Sequence, residues 1–127
     1  MIDFAVMGTP RTHRADTRPQ WQAAVRAAFP DPVEPLTGPL RLRIGYFYER
    51  ATDLDTDNII KPIQDALKRV AYEHDKTIVD VCARKLDRLR PPPFANTPAI
   101  VSDALIATTG DFVFVRVAAA DGEVTFS

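Results

Sequence analysis

Asp53, Asp55 and Asp57 alternate along the chain immediately ahead of Asn58-Ile59-Ile60-Lys61, and Asp65 follows four residues after the lysine. Carboxylates packed this closely repel one another, and a bound divalent cation or neighbouring bases must offset that cost. Hard cations such as Mg²⁺ take carboxylate oxygen and keep several waters, so the stretch has the donor chemistry of a Mg²⁺ site. A plainer account fits the same spacing. Asp57 assists a helix start, where negative charge is favoured, and the remainder is a solvated acidic loop. Lys61 likewise has an ordinary helical partner one turn away, in Asp65 or in Asp57. A calcium loop is excluded: Asp53, Asp55 and Asp57 copy its first three ligand positions, but its sixth position is Asn58 instead of Gly, its twelfth is Gln64 instead of Glu, and Pro62 interrupts it.

The elements that must hold these residues are legible from periodicity. Ile2, Phe4 and Val6 share one face of a short strand. After a Gly- and Pro-punctuated loop, Thr17 is placed to cap a helix, with Pro19 in its first turn and Gln20 completing a capping box. Trp21, Ala24, Val25, Ala28 and Phe29 follow as its apolar stripe, which assigns Trp21 and Phe29 to the core. Leu40, Leu42, Ile44, Tyr46 and Tyr48 alternate with Arg41, Arg43, Gly45 and Phe47, the clearest strand in the chain. A second helix carries Ile59, Ile63, Ala66, Leu67 and Val70 on one face and Lys61, Asp65 and Lys68 on the other. Pro62 has no N–H for a helix interior, so the spacing predicts Asn58 as N-cap and a helix starting after Asp57. Further strands are expected near 78–86, at 100–106 and, as a terminal strand, over 112–117; the prolines at 91–93 and 98 bracket a loop.

Composition limits the function classes. The 127 residues are 46% hydrophobic and 26% charged, which is ordinary for one folded domain and argues against a disordered chain. No apolar run approaches the ~20 residues of a membrane span. The start lacks the pattern of a secretory signal, and the expected location is cytoplasmic. A lone Cys82 excludes an internal disulfide and a cysteine-rich zinc module. Net charge is −1, against a uniformly basic nucleic-acid binder, yet the charge is unevenly spread: +2 over residues 1–50, −3 over 51–75, +3 over 76–90 and −3 over 91–127. An acidic knot between two basic flanks suits a metal site beside a phosphate-binding surface.

Asp55-x-Asp57-Asn58-x-x-Lys61-x-x-x-Asp65-Ala66-Leu67, with Asp75 just ahead of the strand at 78–86, resembles the signature of RusA-type Holliday junction resolvases, the RusA-like endodeoxyribonuclease family. The likeness covers residues 40–86 well, with a weaker echo at Gly8-x-Pro10…Arg14; His74 stands where the family often has a second acidic residue. The resemblance implies an α+β fold, a mixed β-sheet packed against two α-helices, as a single small domain over residues 1–127 in a homodimer. It implies a Mg²⁺-dependent enzyme, with Mn²⁺ as a substitute ion, that cuts four-way DNA junctions in recombination and repair. Asp55, Asp57 and Asp75 would be the essential carboxylates and metal ligands, and Lys61 the essential basic residue.

The chemistry is consistent with that resemblance. Phosphodiester hydrolysis needs an activated water, a neutralised phosphate and a stabilised leaving oxygen. A Mg²⁺ ion supplies the first two, and Lys61 is placed to stabilise developing charge. His74 is a candidate proton shuttle, or simply a tolerated surface residue. Arg11, His13, Arg14, Arg18, Arg84, Lys85, Arg88 and Arg90 are the candidate DNA contacts. Paired incisions across a near-symmetric junction call for two sites, hence a C2 dimer. Rival readings are a flap or fork nuclease on the same scaffold, a non-catalytic DNA- or partner-binding relative, and a simple divalent-cation-binding protein.

Overall fold

A computed structural model describes residues 1–11, 16–30, 34–52 and 54–121. Along the chain run β1 (Ile2–Met7), α1 (Arg18–Ala28), β2 (Leu40–Tyr48), α2 (Thr56–Leu67), a 3-10 turn (Asp75–Thr77), β3 (Ile78–Asp87), α3 (Ala99–Ala107) and β4 (Phe112–Ala119). The four strands form one sheet in the order β1-β4-β2-β3. β4 is antiparallel to both its neighbours, whereas β2 and β3 are parallel and joined through α2. The fold is therefore α+β with a mixed sheet. The continuous apolar run Phe112–Val115 suits a strand buried on both faces, and β4 is indeed interior to the sheet, with all four of these residues buried.

One face of the sheet carries the main core. Leu40, Leu42, Ile44 and Tyr46 of β2 meet Val113, Val115 and Val117 of β4 and Phe4 and Val6 of β1, under α1 and α2. Trp21, Val25 and Phe29 close the core from the α1 side, and Phe4 meets Phe29 edge-on with ring centroids 5.4 Å apart. The two helices are also tied by polar contacts, since Gln22 Nε2 donates to the Pro62 carbonyl at 3.1 Å and Arg26 Nε to the Ala66 carbonyl at 3.1 Å. On the opposite face Phe47 stacks on Phe112 at 4.7 Å, and both join Phe114, Leu86 and α3 in a smaller cluster. Beyond it that face is ionic: Asp80 takes Arg41 and Arg43, each at 2.9 Å, and Asp3 holds Arg116 at 2.7 Å.

Three local expectations are corrected. α2 begins at Thr56 with Asp55 as N-cap, not after Asp57 with Asn58 as N-cap, and Pro62 lies inside the helix. A proline there costs about 3 kcal/mol. Ile59, Ile63 and Leu67 are fully buried by the same helix, at about 1.5–3 kcal/mol each, and together they outweigh that cost. Thr17 does precede α1, but at φ −89° and ψ 5° its side chain makes no capping bond, so the expected capping box is not formed. The segment expected as a strand over 100–106 is α3, a third α-helix among the described residues where two were expected. A short apolar run does not distinguish strand from buried helix, and Ala99, Ala104 and Ala107 tilt this one towards helix.

Candidate active site

The crossover from β2 to β3 positions every residue of the acidic motif. β2 ends at Tyr48, and the chain then turns into α2, whose apolar stripe fixes the rotation of the helix against the sheet. Asp55, in extended backbone at φ −72° and ψ 146°, is the N-cap, yet its side chain makes no capping hydrogen bond. Asp57 follows in the first turn and is exposed. Neither carboxylate has a hydrogen-bond or ion-pair partner among the described residues. Both sit where the helix end favours negative charge.

Lys61 lies one turn further along the same face. Its Nζ is 2.9 Å from Asp65 Oδ1 and 3.6 Å from Asp75 Oδ2. Asp75 opens the 3-10 turn that leads into β3, so the lysine joins two stretches separated by the end of α2 and the buried Ala71-Tyr72 pair. The hydrogen bond from Lys61 to Asp65, reinforced by the charges of Asp65 and Asp75, holds the ammonium above its ordinary pKa. Beneath the cluster Tyr72 donates its hydroxyl to the Gln64 carbonyl at 2.8 Å. Burial, followed by the Asp75 and Asp65 charges, raises the Tyr72 pKa and keeps the phenol protonated. Asp75 Oδ1 is shut off from solvent and has no hydrogen-bond partner among the described residues. Such an orphaned acceptor is uncommon and calls for an explanation, a bound ion being one.

The structure thus brings Lys61, Asp65 and Asp75 together, with Asp57 one turn away towards the N-terminus and Asp55 just before it. Among the described residues no group of three His, Cys, Asp or Glu side chains is close enough to hold an ion by itself; Asp53 lies outside those residues. Mg²⁺ is commonly held by one or two carboxylates with water completing its shell. The orphaned Asp75 oxygen and the unpartnered Asp55 and Asp57 fit that donor chemistry. His74 is exposed beside Asp75.

The basic residues do not form one patch. β1, β2 and β3 run in the same direction, so their C-terminal ends gather at one edge of the sheet, near the start of α2. Arg11 is exposed beyond β1, and Arg90 is 84% exposed beyond β3 with Asp87 at 3.7 Å. Arg84 and Lys85 are exposed on β3 but point to opposite faces, opposite Gly45 and Tyr46 of β2. Arg18 is half-buried at the first position of α1 and is engaged within the fold. His13 and Arg14 lie outside the described residues. Arg88, a candidate DNA contact in the sequence, is structural instead. Its guanidinium donates to the carbonyls of Leu105 at 3.2 Å, Thr108 at 2.6 Å and Gly110, closing the C-terminal end of α3.

The chain is thus a small α+β domain with an acidic strand-to-helix connection, a lysine in the helix that follows, and a carboxylate ahead of the next strand 3.6 Å from that lysine. Residues 4–93 match the family described as Endodeoxyribonuclease RusA, and the chain belongs to that family. The matched span contains Asp55, Asp57, Lys61 and Asp75, and stops ahead of α3 and β4. Family membership supports a nuclease, and resolvases of this family are generally metal-dependent. No match was found among curated proteins. Among the described residues no helix is long and apolar enough to cross a membrane.

Proposed function

We propose that this protein is a Mg²⁺-dependent, structure-specific endodeoxyribonuclease that resolves four-way DNA junctions by paired phosphodiester hydrolysis in recombination and repair, working as a homodimer in the cytoplasm. The observation that carries the reading is the contact between Lys61 and Asp75, which joins the two halves of the motif and leaves one Asp75 oxygen buried without a partner. A bound Mg²⁺ would polarise a water and neutralise the scissile phosphate. Asp55, Asp57 and Asp75 are the residues that would hold it. Lys61, kept protonated by its acidic neighbours, acts as a fixed positive charge on the phosphate or the leaving oxygen and not as a base. Arg11, Arg14, Arg18, Arg84 and Lys85 are assigned to phosphate contact, which makes binding weaken steeply with salt.

A non-catalytic, DNA-binding relative is the second reading, favoured by the lack of three converging ligands among the described residues. A labelled immobile junction, a duplex and a flap of matched sequence, each incubated with Mg²⁺, with Mn²⁺ and with neither, separate the two. Paired nicks in opposing junction strands support resolution. Tight junction binding without any cut product under either ion supports the binding relative.

A further inference from the structure

Asp111 stands immediately ahead of β4, outside the span matched to the family. Its Oδ2 accepts from the Tyr46 hydroxyl at 2.5 Å and from the Thr9 hydroxyl at 2.9 Å, and its Oδ1 accepts from the Glu49 N–H at 2.8 Å. Its backbone carbonyl accepts from the Gly8 N–H at 2.9 Å, where the chain turns at φ +121°. One residue therefore ties together the exits of β1 and β2 and the entrance of β4. The contacts continue towards the acidic motif. Thr52 lines the same cleft as Thr9, Tyr46, Glu49 and Asp111; its hydroxyl accepts from the Leu54 N–H at 3.1 Å, and Leu54 directly precedes Asp55.

Those side chains anchor a stretch with little support of its own. Among the described residues of 49–54, no backbone group makes a backbone-to-backbone hydrogen bond. Tyr46, by contrast, is 1% exposed and held in the middle of the core. We infer that Asp111 is a positioning residue for Asp55 and Asp57: through the Glu49 N–H and the Tyr46 hydroxyl it fixes the start of the connection along which the chain leaves β2 for α2. The inference rests on the nuclease reading above. An ionised acceptor suits the role, because hydrogen bonds to a charged group are the shorter and stronger ones. Placement matters for such chemistry, since an error of about 1 Å costs on the order of 10²-fold in rate.

The test uses Asp111→Ala, Asp111→Asn and Tyr46→Phe in the full chain, read in two ways. Junction cleavage by Asp111→Ala is expected to show kcat lowered by roughly 10- to 100-fold, with KM for the junction within about twofold of wild type. Tyr46→Phe and Asp111→Asn, which each keep part of the network, are expected to fall between. Independently of activity, amide hydrogen exchange at Leu54, Thr56 and Asp57 is expected to accelerate in the same order, while the β2–β4 ladder keeps its protection. A uniform loss of protection across the sheet, with the fall in kcat no larger than the fall in folded fraction, would make Asp111 a general stabiliser and overturn the inference. Unchanged kcat and unchanged exchange in Tyr46→Phe and Asp111→Asn would overturn it even if Asp111→Ala fails to fold. If wild-type protein cuts nothing, the nuclease reading fails by itself, and the exchange measurement still decides whether Asp111 orders the connection.

Discussion

Asp111 and Asp75 are both half-buried carboxylates on connections of the same sheet, and the fold completes them in opposite ways. Asp111 has donors on both oxygens, supplied from two separate segments, the exits of β1 and β2. Burial pushes its carboxyl up, but the hydrogen bonds from Tyr46, the Glu49 N–H and Thr9, with the Arg88 charge, outweigh that and hold it below its ordinary value. Asp75 has a lysine at 3.6 Å on one oxygen and nothing on the other. On the proposed function, the saturated carboxylate serves the scaffold and the unsaturated one the chemistry. Buried acceptors are nearly always satisfied, and exceptions concentrate where a ligand or reaction needs them.

Asp57→Asn attacks the unsaturated side hardest. Junction cleavage is expected to fall by roughly 10²–10³-fold or more, while junction binding, followed by gel shift or anisotropy, stays at wild-type strength. Cutting at the wild-type rate would remove Asp57 from the metal-holding set. Lys61→Ala is expected to slow cleavage by roughly 10²-fold with Lys61→Arg between it and wild type, measured under single-turnover conditions. Equal rates for the alanine and arginine variants would deny the ammonium its electrostatic role.

The saturated side is tested by acid. A carboxyl held below its unfolded value contributes stability that is fully present above that value, about 3.9 for Asp, and is lost as pH falls through the folded value. Thermal unfolding followed from pH 7 down to pH 3 is expected to show a smaller acid-induced loss in Asp111→Asn than in wild type. Parallel curves would contradict the assignment. The smallest effect lies just past the C-terminal end of α2. Arg69 there has a left-handed backbone at φ 72°, a conformation that costs a side-chain-bearing residue about 1–2 kcal/mol. Arg69→Gly is expected to raise Tm by about 4 °C without altering cleavage.

How much of this was readable in the sequence depends on how local each signal is. The apolar stripe of α2 and the pairing of Lys61 with Asp65 are set by helical periodicity within four residues, and both are present. The alternation in β2 and the apolar run of β4 gave their strands for the same reason. Asp75 carries no pattern of its own, and it entered only through resemblance to a family. Arg84 and Lys85 are both candidate DNA contacts by residue type, but the pleat of β3 places them on opposite faces. α3 was misread because its apolar residues have no clean polar face opposite them. Asp111 was invisible, since its partners Tyr46 and Thr9 lie 65 and 102 residues away in the chain. No window of sequence contains that contact.

The most direct test of the account is Asp75→Asn, assayed with a four-way junction over a Mg²⁺ titration alongside a thermal melt. On this account, junction binding is expected to survive, paired nicks to disappear at every Mg²⁺ concentration, and Tm to change little, because the substitution gives up only a partly exposed ion pair with Lys61 while relieving a carboxylate oxygen that has no donor. A variant that nicks both strands at the wild-type rate, or one that loses its activity only because it unfolds, would contradict it.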